Sequence, residues 1–140
     1  MKIYSTNVEC RKMFVIMKRL PDSELEIMLI VWDYDRPVTR FEIEERLDGD
    51  RKLSPTTILS FLARLQERGF LEVTKVGKNN LYAPVIDKDS YMKVESKNIL
   101  TKLYRNSAKN FIAALYDGDN LSADDIAELE EYITQMKKGQ

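Results

Sequence analysis

Residues 54–70, SPTTILSFLARLQERGF, place the tightest constraint on what this chain can fold into. Ser54 suits a helix N-cap, because its hydroxyl can accept from a free N–H of the first turn. Pro55 suits the first helical position, where its missing N–H has no partner to lose. Ile58, Phe61, Leu62 and Leu65 recur at spacings of three and four, so one stripe must face a core. Gly69 stands where a helix end takes a left-handed residue. The opposite face carries Thr56, Thr57, Leu59, Ser60, Ala63 and Arg64, with no acid before Glu67. Such a face can lie close to something large and anionic. An ordinary amphipathic helix reads the same way, so the flanking segments must decide.

Upstream, a helix is expected from about Pro21, with Ser23 and Glu26 as a capping box and Leu25, Met28, Leu29 and Trp32 as its apolar stripe. Trp32 reads as a core residue rather than a ligand platform. The helix should stop by Asp35, ahead of Arg36-Pro37. Val38 reads as extended. Thr39 and Glu42 form a second capping box that opens a helix over about 40–48, with Phe41, Ile43 and Leu47 apolar and Asp48-Gly49-Asp50 ending it. Glu42, Glu44 and Glu45 read as a solvated helix face rather than a metal cluster, because adjacent helical residues do not converge on one point. Downstream, 70–76 and 81–86 read as strands, with Gly77-Lys78-Asn79-Asn80 as the turn and Lys75 and Lys78 at the tip. Three helices followed by a hairpin make a winged helix-turn-helix pattern, in which the third helix enters the major groove and the hairpin touches the backbone.

Pro84 and Asp87 are expected to close this first domain. Residues 88–116 turn helical again, as one long helix or two with a break at Asn106-Ser107. A loop at 117–120 leads to a last helix with Ser122 as N-cap, Asp125 at N3 and Leu121 with Ile126 as a hydrophobic staple. Ile126, Leu129, Ile133 and Met136 follow as a narrow seam suited to a partner helix, and Lys137-Lys138 complement the negative helix end. Helices of this size cannot bury a core alone. They must pack on the first domain or on a second copy, and a homodimer also matches palindromic DNA. Its interface is expected at Tyr91, Val94, Leu103, Phe111, Ile112, Leu115, Ile126, Leu129 and Ile133. The fold class expected is mainly α with a small β-hairpin wing. Residues 1–20 are a basic, disordered extension, 21–87 a winged-helix DNA-binding domain and 88–138 a helical dimerisation domain.

Charge bears on the partner. The net charge is only −1, but residues 21–50 hold ten acidic groups against three basic, whereas 51–80 hold six basic against two acidic. A basic block of this kind can present a local positive surface on a weakly acidic protein. There is no His, no Gly-rich phosphate loop and no nucleophile–base pair, so catalysis finds no support, and no cofactor or metal is called for. The single Cys10 forms no internal disulfide, and the apolar run 13–17 is too short to span a bilayer. A reducing cytoplasm is the expected setting. Met17, just ahead of the patterned region, is an alternative translation start.

The segments LPDSELEIMLIVW, SPTTILSFLARLQERGFLEV, SKNILTKLYRN and LSADDIAELEEYI, spread over about residues 20–138, resemble the penicillinase-repressor family of winged-helix regulators (BlaI/MecI/CopY type). The resemblance implies a cytoplasmic homodimer that represses genes from a dyad operator in double-stranded DNA. By position it implies Thr56, Thr57, Leu59 and Ser60 against base edges and Arg64, Lys75 and Lys78 near phosphates, and Ser54, at the start of the helix that carries them, is expected among the DNA-binding residues. The chain departs from the family where Leu59 replaces a usual basic residue, and some members are also basic at Thr56. A family-like dyad with altered sequence is therefore expected. In β-lactam-responsive members a membrane sensor or protease triggers cleavage of an Asn-Phe bond in the dimerisation helices. This chain has Asn110-Phe111, but alignment through SKNILTKLYRN puts the family's bond at Ala114-Leu115. The copper-responsive branch needs a C-terminal cysteine cluster, which this chain lacks. A second reading uses the same polar face and wing to hold a protein, and salt dependence separates the two.

Overall fold

The computed structural model describes residues 19–47 and 53–139. Residues 1–18, and with them most of the expected extension, Cys10 and Met17, lie outside the described residues, as does Asp48-Gly49-Asp50. The elements are α1 (Asp22–Asp33), α2 (Arg40–Arg46), α3 (Pro55–Glu67), β1 (Leu71–Val76), β2 (Asn79–Pro84), α4 (Lys88–Tyr104), α5 (Ala108–Asp117) and α6 (Ala123–Lys138). The chain divides into two compact units, Met1–Glu95 and Ser96–Gln140.

The core of the first unit forms where three helices and the hairpin contribute one apolar face each. Ile27, Met28 and Val31 of α1, Ile43 of α2, and Ile58, Leu62 and Leu65 of α3 are all within 1% of complete burial. Leu71 and Tyr82 add the inner face of the hairpin. Ser54 caps α3 by accepting from the Thr57 N–H at 3.2 Å. Gly69 leaves the helix at φ +83°, as its position requires. The strands pair antiparallel from Leu71 with Pro84 to Val76 with Asn79. The turn is therefore two residues, Gly77-Lys78, and not the four expected. Gly77 at φ +63° supplies the left-handed corner that lets a two-residue turn match strand twist. Val38 exchanges two backbone hydrogen bonds with Tyr82, at 2.9 and 2.8 Å, which adds one extended residue beside β2.

Several expectations need correction. On α1 the buried stripe is Glu24, Ile27, Met28 and Val31, and Leu29 is exposed. The Ser23–Glu26 capping box does not form, because Pro21 is the N-cap and the helix starts two residues earlier than that box requires. Phe41 lies on the outside of α2 rather than in the core. Trp32 packs on the core edge and donates from Nε1 to the Ile86 carbonyl at 2.9 Å, a structural role. The first unit also extends past both expected ends. Leu20 is buried, and its N–H donates to the Tyr91 hydroxyl at 2.9 Å. Asp87 opens α4 rather than closing a domain, accepting from the Ser90 N–H at 3.2 Å. Tyr91 and Val94, expected at a dimer interface, are buried in this core, where the Tyr91 ring meets Trp32 and Phe70 at 5.6 and 5.7 Å. A side chain enclosed by its own unit is not available to a second copy.

Two polar devices hold the helices in place. At the start of α2, Thr39 and Glu42 form the expected capping box, and Arg36 donates to Glu42 Oε1 at 3.0 Å. The Arg36 hydrogen bonds, then the Thr39 N–H, hold the Glu42 carboxyl down to about 2. On α1, the Glu24 carboxylate is 2% exposed, and Arg68 at the end of α3 brings its Nε to 3.0 Å. The guanidinium approaches off the N–H direction, so this oxygen has an ionic contact without a well-directed hydrogen bond.

The second unit holds the end of α4 with α5 and α6. The expected break is present. Arg105 and Asn106 take φ +48° and +67°, and Ser107 then caps α5 by accepting from the Asn110 N–H at 3.1 Å. Ser122 and Asp125 form the expected capping box on α6. No residue of α5 or α6 is buried.

Two outcomes follow. Removing the depressed Glu42 carboxylate by Glu42→Gln should lower the melting temperature at neutral pH. A carboxylate whose folded pKa is lowered stabilises above its unfolded pKa and loses that effect as pH falls, so the gap between variant and wild type should close between about pH 4.5 and 2 in thermal melts. Arg68→Ala leaves a buried carboxylate without its cation and should destabilise clearly. Adding Glu24→Gln to it should restore part of the loss in denaturant unfolding, because a neutral amide needs no counter-ion.

Candidate nucleic-acid interface

Burial of Ile58, Leu62 and Leu65 fixes the rotation of α3 and so decides which side chains it offers outward. Thr56, Leu59, Ser60, Ala63 and Arg64 are exposed on that outer side. Thr57 is half-buried, and its hydroxyl lies 2.8 Å from the Ser54 hydroxyl, so these two residues are engaged at the helix start. Arg64 lies over the Phe61 ring, 5.7 Å from its centroid, which holds the guanidinium near the helix surface. Arg68, one turn on, is turned toward Glu24.

The hairpin carries Lys75 and Lys78 at its exposed end, Lys75 opposite Asn80 and Lys78 in the turn. The structure brings Leu59 and Lys78 to one cleft of about 230 Å³. Residues that sequence reasoning missed line it too, namely Arg40 and Phe41 from α2 and Asn79 and Asn80 from the wing. The exposed Phe41 was the available signal, as an apolar residue off the buried period of α2. Nothing in the sequence pointed to α2 and the wing meeting at Leu59. Arg51 and Lys52, which add to the basic block, lie outside the described residues.

Of the residues expected at an interface of helices, Phe111, Ile112, Leu115 and Leu129 line an open groove of about 710 Å³ between α5 and α6. Ile126 is half-buried, while Leu103, at 71% exposure, and Ile133, at 46%, stand free of it. The Asp125 carboxyl is lowered by the Ser122 N–H and hydroxyl, as its capping role requires. Asn110-Phe111 and Ala114-Leu115 both lie inside α5. Among the described residues there is no cluster of metal-ligating side chains, and no helix is long and apolar enough to cross a membrane.

A three-helix core with a hairpin wing, whose third helix turns an acid-free face outward, defines a winged-helix protein of the DNA-binding class. Within that class the chain belongs to the penicillinase repressor family, whose model matches residues 20–135. It is 32% identical over 124 residues to the penicillinase repressor of Bacillus licheniformis, covering 86% of this chain and 96% of the relative. It is 26% identical over 116 residues to the methicillin resistance regulatory protein MecI of Mammaliicoccus sciuri, covering 83% and 94%. The solved DNA-binding domain of the repressor BlaI is similar at 33% identity, with a TM-score of 0.46 over 52% of this chain and 88% of that one.

The base and phosphate contacts expected of this face should separate by experiment. Lys78→Ala removes a charge from the wing tip, so it should weaken binding to all duplexes alike and reduce the salt slope by about one. Thr56→Ala should leave the slope unchanged and relax selection at one base position. Fluorescence anisotropy titrations over a range of salt concentrations read both.

Proposed function

We propose that two copies of this chain bind a dyad operator in double-stranded DNA and repress the adjacent genes, each copy laying the outer face of α3 in a major groove. DNA-binding transcriptional repression is the function of the family to which the chain belongs. The observation that carries the reading is the outer face of α3, free of carboxylates from Thr56 to Arg64 and sharing a cleft with the lysine-bearing wing. Thr56, Thr57, Leu59 and Ser60 would meet base edges, and Arg64, Lys75 and Lys78 the phosphates. The proposed action is binding alone, in the cytoplasm where the operator is, with neither catalysis nor cofactor.

The second copy is argued from the unit formed by residues 96–140. Two capped helices that bury no residue leave Phe111, Ile112, Leu115, Leu129 and Tyr132 along an open groove, with Ile133 and Met136 exposed elsewhere on α6. An apolar stripe that runs on past the groove needs cover, and the same helices of a second copy supply it. A signal that opens these helices would uncouple the two reading heads and release the DNA. A protease acting within α5 would need that helix unwound first. A membrane sensor fits the same role.

Selection of bound duplexes from random DNA, with the mass in solution measured in parallel, tests the reading. The expected result is a dimer at micromolar concentration and two inverted half-sites about one helical turn apart. Ile133→Glu should shift the mass toward the monomer and weaken the dyad far more than a single half-site. A monomer with no enriched duplex at low ionic strength would overturn the proposal, and binding to a protein with little salt dependence would favour the protein-docking reading.

A further inference from the structure

We propose that the cleft between Phe41 and Leu59 is a pocket for a thymine methyl group, through which the protein selects T at one fixed position of each half-site. The proposal rests on the DNA-binding reading and goes beyond it by naming the group recognised.

Leu59 is 45% exposed and Phe41 52% exposed, and they come from different helices. Both line the same small cleft, closed on the wing side by Lys78, Asn79 and Asn80. Two exposed apolar side chains lining one cleft, on a face otherwise made of hydroxyls, amides and cations, call for an apolar group beside them. In the major groove the C5-methyl of thymine is the apolar group that a base edge presents.

The walls are held before any ligand arrives. Leu59 sits on a helix whose opposite stripe is fully buried. The Phe41 ring lies under the Arg40 guanidinium, 4.4 Å from its centroid, and Arg40 is itself held by Glu44 at 2.7 Å. Charge favours a nucleic acid over an apolar peptide. None of the residues lining the cleft is acidic, and Arg40 and Lys78 border it. Glu44 and Glu45 share the other side of Phe41, which keeps phosphates on the wing side. A cleft of about 230 Å³ suits a small group such as the edge of a base better than a helix.

The experiment uses the full chain and the best duplex enriched from random DNA. Each T is replaced in turn by deoxyuridine, which keeps every hydrogen-bonding group and removes only the methyl. One position per half-site should lose about fourfold in affinity, the factor set by burying one such group, and the loss should be the same at low and high salt. Leu59→Ala should bind T and deoxyuridine equally at that position, and Phe41→Ala should narrow the difference. Both side chains are exposed, so both variants should melt close to wild type. An enriched duplex with no deoxyuridine-sensitive position overturns the pocket while leaving DNA binding intact, as does a Leu59→Ala protein that still discriminates. If no duplex is enriched and the cleft instead holds an apolar side chain of a protein partner, the pocket and the DNA reading fail together.

Discussion

Burial of one stripe of α3 is the constraint on which the rest depends. Ile58, Leu62 and Leu65 leave water completely, or within 1% of it, among residues from α1, α2 and the hairpin. Losing any of these contacts would cost on the order of 2–5 kcal/mol, a large share of what holds a small domain together. The same burial leaves α3 no freedom to rotate, so the polar side is set by what the apolar side must do. A face assembled this way has its ordering cost met during folding.

The two units show opposite solutions to the same problem. The first has enough elements to enclose a core, and it recruits Leu20, Tyr91 and Val94 from beyond its expected limits to complete it. The second has well-specified helix starts at Ser107 and Ser122, yet no buried residue on α5 or α6. Local capping defines where those helices begin. It cannot supply the apolar partner that their side chains lack. The first unit thus carries its own core, whereas the helices α5 and α6 keep their apolar side chains at least partly exposed.

Much of the architecture was legible because its signals are local. The Ser54-Pro55 start, the Gly69 stop, the capping boxes at Thr39 and Ser122 and the break before Ser107 each depend on a few adjacent residues. The errors fall where a distant neighbour decides. Nothing local singles out Glu24, whose carboxylate is buried where Arg68 arrives from the end of α3. Tyr91 and Val94 read as a helix face seeking a partner until Trp32 and Phe70 are seen to enclose that end of α4. The wing turn was read two residues too long because Asn79 and Asn80 are good turn formers that the register nevertheless pairs with Val76 and Lys75.

By itself, then, the amino-acid order determined the helices, the caps of all but the first of the capped ones, the hairpin and the outward face of α3, since each follows from periodicity and from backbone groups that need partners within a turn. Only the tertiary structure decided that Phe41 and Leu59 share one cleft with the wing, that the first unit runs on into α4, and that a buried carboxylate joins α1 to the end of α3. The physical reason is that these contacts join residues far apart in the chain. Packing at near-crystalline density selects which of them meet, and no local pattern carries that information.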